Sequence, residues 1–173
     1  MASYTVKLVN RTRATDRLLL AIKTNLQGFF DEVFKGTSDG ATVQWGDGVV
    51  SDAVVVHFVK DKDSSYLKQI RPKEGGQHHA GGHTSYGQPM GSEIYQHIVE
   101  PGGRRHMDTD AGYAKLAFHE ILHNQFPGRS GAEIHGDFGG GGFASPVVDG
   151  EHPNDRNKEI MRLGLSVKTA QLL

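Results

Sequence analysis

The stretch "AFHEILHNQFPGRSGAEIHGDFGGGGFA", Ala117 to Ala144, decides how the rest of the chain is read. It opens with His119-Glu120-Ile121-Leu122-His123. On a helix, residues four apart lie one turn above each other, so the two imidazoles share a direction while Glu120 sits about 100° around the axis. Helix signals surround the motif. Asp108 or Asp110 can cap a helix through "AGYAKLAFHEILHNQF", and Pro127-Gly128 ends it. Tyr113, Leu116, Ala117, Phe118, Ile121 and Leu122 spread around most of its circumference, which predicts a buried, central helix. Two histidines and a glutamate in such a helix are costly unless satisfied, and one metal ion satisfies all three. The histidines ligate the ion and the carboxylate reaches a water on it, the arrangement a zinc hydrolase needs.

Two histidines leave a catalytic zinc short of its usual three protein ligands. The chain has no cysteine, so the third must be His, Asp or Glu. Downstream candidates are Glu133, His135, Asp137, Asp149 and His152. "PGRSG" (Pro127–Gly131) stops the helix and reverses the chain, and residues 133, 135 and 137 share one side if the following segment is extended. Gly136 and the glycine run after it argue against a helix there.

Upstream, "SYTVKLV" (Ser3–Val9) alternates as a strand. Thr15 or Asp16 caps a long amphipathic helix on which Leu18, Leu19, Ile22, Leu26, Phe29, Phe30 and Val33 recur, with Gly36 as its stop. "ATVQW" is a short strand, and "DAVVVHFV" (Asp52–Val59) is a strand covered on both faces, with His57 a core or edge histidine. Loops around an extended "HTSYGQ" follow, then a strand over Glu93–Glu100. A short helix, "NDRNKEIMRLGL", ends the pattern. Without repeats or a convincing linker, residues 1–173 read as one α+β domain: a single mixed sheet, a long backing helix and the buried HExxH helix.

The HExxH motif, a chain reversal, a later histidine and then a methionine resemble the metzincin plan of zinc proteases. In this chain the compact third-histidine position holds Arg129, so it resembles the members with an insertion before that ligand. It is also similar to small bacterial zincin-like proteins that run HExxHN, a variable segment, Ile-His and a glycine run ending in an apolar-Ala pair; "IHGDFGGGGFA" matches and favours His135. His152, nine residues before Met161, is the rival. The resemblance implies a compact zincin fold, a Met-turn at Met161, zinc on His119, His123 and His135, and Glu120 as general base and acid. It also implies a substrate along an edge strand, for which Gly87–Val99 is the candidate, and Tyr86 or Tyr95 as weak candidates for a second electrophile.

The net charge of -1 gives no reason to expect nucleic acid or an anionic membrane as partner. No stretch reaches the ~18 apolar residues of a membrane span, and the N-terminus lacks the pattern of a Sec signal, so a soluble chain is expected, cytoplasmic or exported by another route. The glycine run lacks the Lys-Ser/Thr of a phosphate loop. "HHAGGH" (His78, His79, His83) reads as solvated loop histidines, with a second metal as the alternative, and Arg104-Arg105-His106 as a solvated cluster. The expected function is a zinc metalloendopeptidase, monomeric, acting on a protein or peptide and suited to a translocated effector or toxin. The alternatives are a metal-binding interaction module without turnover and a zinc hydrolase of non-peptide amides or esters.

Overall fold

The structure is a computed structural model that describes residues 1–47, 53–60, 81–85, 91–96 and 109–170. Strand β1 (Ser3–Asn10) leads into helix α1 (Asp16–Phe34), whose N-cap Thr15 accepts a hydrogen bond from the Leu18 N–H. Strands β2 (Gly40–Trp45), β3 (Ala53–Lys60), β4 (Gly82–Ser85) and β5 (Gly91–Gln96) follow. Helix α2 (Asp110–Gln125), a short helix α3 (Gly131–His135), one 3-10 turn (Gly142–Ala144) and helix α4 (Asp155–Ala170) complete the order. The mixed α+β class expected from sequence is what the structure shows, with the long helix and the buried HExxH helix in place.

The five strands form one mixed sheet in the order β2-β1-β3-β5-β4, with β4 antiparallel to β5 and every other pair parallel. Alternation puts Val6, Leu8, Val43, Val54, Val56, Phe58 and Ile94 on one face, where they meet α1 and α2. Ile22, Leu26, Phe30 and Val33 of α1 and Ala117, Phe118 and Ile121 of α2 are fully buried against them. Phe118 anchors the seam, with Phe30 at 5.7 Å and Phe143 at 5.4 Å between ring centroids, and truncating such a ring costs about 3–5 kcal/mol. Trp45 Nε1 donates to the Leu19 carbonyl at 2.7 Å, tying β2 to α1.

Three details depart from the sequence reading. Thr109, not an aspartate beside it, caps α2, accepting from the Gly112 N–H at 3.0 Å. The strand placed within Gly87–Val99 is β5, which lies inside the sheet, and among the described residues β4 forms the edge beside it. The segment after Ser130 is helical instead of extended.

Candidate metal centre

Helix α2 runs beneath the β5–β4 end of the sheet and is buried from Tyr113 onward over nearly its whole circumference, as its apolar pattern predicts. His119 and His123 leave it in the same direction, with Nε2 atoms 3.1 Å apart. At the C-cap Phe126 the chain turns, and Ser130 and Glu133 form a capping box: the Ser130 hydroxyl accepts from the Glu133 N–H while Glu133 Oε2 accepts from the Ser130 N–H at 2.8 Å. That box nucleates α3, which sinks Ile134 into the interior and turns the next side chain, His135, to the pair on α2. Its Nε2 lies 3.0 Å from that of His123 and 3.4 Å from that of His119. Among the described residues these three form the only group of His, Asp or Glu with ligand atoms close enough to share one ion.

The other candidates stand apart. Glu133 is exposed, held by the Ser130 backbone and side chain, which keep its carboxylate below the ordinary range. Asp137 and Asp149 are exposed. His152 is exposed too and pairs with Glu32 across α1 at 2.6 Å. Met161, expected in a tight turn, lies within α4 and is fully buried. His57 sits on the sheet face turned away from α2, in register with Glu93, its pKa lowered by burial. His83 belongs to β4, whereas His78, His79, Tyr86, Asp108 and the Arg104-Arg105-His106 cluster lie outside the described residues.

Burial sets the electrostatics. It lowers the His119 pKa to about 4, against the raising effect of its bond to Phe143, and that of His123 to about 3, helped by the neighbouring histidines. His135 is lowered by burial as well. All three are therefore neutral imidazoles at neutral pH, the form that ligates metal. His119 Nδ1 donates to the Phe143 carbonyl at 2.7 Å, which leaves the Nε2 lone pair facing the other rings.

Glu120 turns to the sheet edge. Its Oε2 accepts from Thr84 Oγ1 at 2.7 Å, and Thr84 Oγ1 lies 2.9 Å from Ser92 Oγ. Ser92 in turn donates to the Glu120 carbonyl and accepts from Asn124 Nδ2. Burial raises the Glu120 pKa to about 8, while the Thr84 bond lowers it. At Gly82 of β4 a Cβ would lie 2.6 Å from Glu120 Oε1 and 2.8 Å from the Glu93 carbonyl, so glycine alone lets the edge strand rest on the carboxylate. Thr84, Ser92, Asn124 and the Phe143 carbonyl escape the sequence reading, because each acts through a contact made between distant elements. Ser130-x-x-Glu133, by contrast, is a readable capping signal that predicts α3. Protein-family models, curated proteins and solved structures were each compared with the chain, and none of them matches.

Proposed function

We propose that this chain is a zinc-dependent metalloendopeptidase of zincin type, with His119, His123 and His135 as ligands and Glu120 as general base and acid. The observation that carries the reading is the triangle of Nε2 atoms, with sides of 3.0, 3.1 and 3.4 Å. Three nitrogens on a tetrahedral zinc lie about 3.3 Å apart, given bonds of about 2.0–2.1 Å. Neutral imidazoles carry one proton each, and His119 spends its own on Phe143, so three converging ring nitrogens fit a cation better than a set of mutual hydrogen bonds. The donor set suits zinc, for which three histidines and an open position are a catalytic pattern. The three-histidine set resembles that of metzincins; the helical, buried Met161 does not follow their turn.

When bound, zinc supplies Lewis-acid polarisation of a carbonyl and a water of lowered pKa. The chain's own contribution centres on Glu120. Thr84 occupies Oε2, which leaves Oε1 to take a proton from the attacking water and deliver it to the departing amine. A cation on the neighbouring histidines favours the ionised carboxylate, offsetting the burial that otherwise keeps it protonated. Strand β4 ends the sheet among the described residues, so an extended peptide can add beside it by main-chain pairing, with the scissile bond brought to α2.

The test is metal analysis of the purified protein together with cleavage of a diverse peptide library read by mass spectrometry. Expected are one zinc per chain, loss of cleavage on chelation, and a Glu120→Gln variant that holds zinc but does not cleave. Absence of zinc affinity sinks the reading. Zinc binding without peptide cleavage turns it to a binding module, or to hydrolysis of a non-peptide amide or ester.

A further inference from the structure

We propose that Asn157, at the start of α4, is a positioning residue for the metal centre: its side chain fixes Phe143, whose carbonyl fixes the ring of His119. The inference rests on the zinc reading above and extends it to a residue that touches no ligand.

Asn157 is fully buried, and its amide makes four hydrogen bonds. Oδ1 accepts from the Phe143 N–H at 3.0 Å and the Asn154 N–H at 3.3 Å, while Nδ2 donates to the carbonyls of Gly139 at 2.8 Å and Gly141 at 3.0 Å. Asn154 fills the gap between them by donating to the Gly140 carbonyl at 3.0 Å. It also accepts the Asn157 N–H at 2.8 Å, so the clamp is built on the cap of α4 itself. Three successive carbonyls of the glycine run thus end on two asparagines.

The run is glycine for this purpose. Gly140, Gly141 and Gly142 have φ of +72°, +69° and +59°, a conformation that side chains disfavour. A Cβ on Gly142 would lie 2.7 Å from Asn154 Nδ2 and 2.9 Å from Asn157 Oδ1. Neither a phosphate cradle nor a free loop, the run is shaped to the two amides. Its exit is Phe143, held by three contacts: its N–H on Asn157, its ring against Phe29 and Phe118 at 5.0 and 5.4 Å, and its carbonyl on His119 Nδ1 at 2.7 Å. Removing the Asn157 amide leaves the buried Phe143 N–H and the Gly139 carbonyl unpaired, takes one of two donors from the Gly141 carbonyl, and frees the residue that selects the His119 tautomer.

The test is zinc affinity, measured by competition with a chromophoric chelator, for the wild-type chain, Asn157→Ala and the control Ile160→Ala. Ile160 is fully buried on the same helix, so its truncation destabilises α4 without touching the clamp. We expect about a tenfold loss of zinc affinity in Asn157→Ala, and affinity within about twofold of wild type in Ile160→Ala. Equal affinity of Asn157→Ala and wild type overturns the proposal, as does an equal loss in the control. A wild-type chain that binds no zinc defeats the metal reading itself, before any variant is compared. Nitrogen-15 NMR of the metal-free wild type covers the case of a variant that does not fold. The proposal requires His119 to carry its proton on Nδ1, and a proton on Nε2 refutes it.

Discussion

His119 and Glu120 are consecutive residues of one helix, yet they are held from different parts of the chain by unlike groups. The imidazole leans on a main-chain carbonyl, backed by a ring in the core and an asparagine whose polar atoms are all bonded. The carboxylate leans on one hydroxyl from the sheet edge. A carbonyl locked on all sides fixes a ring in one tautomer. A hydroxyl can turn about its C–O bond and follow a carboxylate as it gains or loses a proton. In the proposed mechanism, the rigid support thus falls to the group that would stay still, and the adaptable one to the group that would change charge.

The strongest way to break the comparison is on the adaptable side. Glu120→Gln should lower peptide turnover by roughly 10²–10⁴-fold while zinc content stays at wild-type level; retained turnover removes Glu120 from the mechanism. On the rigid side, His135→Ala should weaken zinc binding by more than about 100-fold, beyond what an outer partner costs, and His152→Ala should leave it unchanged. Zinc retained in the first variant and lost in the second would exchange their roles. Thr84→Val sharpens the contrast: kcat should fall about tenfold with KM and zinc affinity unaltered, and Thr84→Ser should restore it. A Thr84→Ser variant as slow as the valine one would show that the hydroxyl is not what matters.

The two neighbours also oppose each other in pH dependence in the metal-free chain. The unfolded chain takes up the His119 proton near 6.5 but the native one only near 4, so stability is full above 6.5 and falls as pH drops through that window, on the order of 3 kcal/mol for His119. His123 and His135 act in the same direction. Glu120, raised to about 8 from 4.5, does the reverse: its contribution is full below 4.5 and is lost as pH rises through about 8. Thermal melts of the chelator-treated protein should therefore peak near pH 6–7, and Glu120→Gln should abolish the alkaline decline while sparing the acidic one. A decline unaffected by the substitution would have another origin. The smallest effect concerns Gln125, buried at the end of α2 against Gly164 of α4 with both amide atoms unpaired among the described residues. Gln125→Leu should raise stability by about 1 kcal/mol in denaturant titration.

Local pattern made part of this legible. The helical spacing of His119 and His123, the buried character of α2 and the capped amphipathic α1 all follow from neighbours within a few turns. His135 was reachable through its resemblance to "IHGDFGGGG", although the physical vehicle that delivers it is a capped helical turn and not an extended segment. The edge position is not legible in Gly87–Val99, since strand order is a property of the whole sheet and the short extended piece at "HTSYGQ" pairs outside the strand that follows it. Thr84 and Asn157 were silent for a related reason. Thr84 is 36 positions from Glu120, Asn157 is 14 from Phe143, and nothing in either residue's own surroundings announces the partner.

The meeting of β4 with α2 sets a limit on how closely the edge strand and the helix can approach. A Cβ at Gly81 would lie 2.5 Å from Leu116, and one at Gly82 would lie 2.6 Å from Glu120, so the edge strand already rests at its closest approach to the helix. No smaller residue exists to draw the two together. A side chain at either position has to displace Leu116 or Glu120 on the helix or, at Gly82, the Glu93 carbonyl of β5, so the close approach of strand and helix depends on the two glycines. In the proposed reading, the pair of glycines sets the depth at which a peptide laid along β4 would meet the carboxylate.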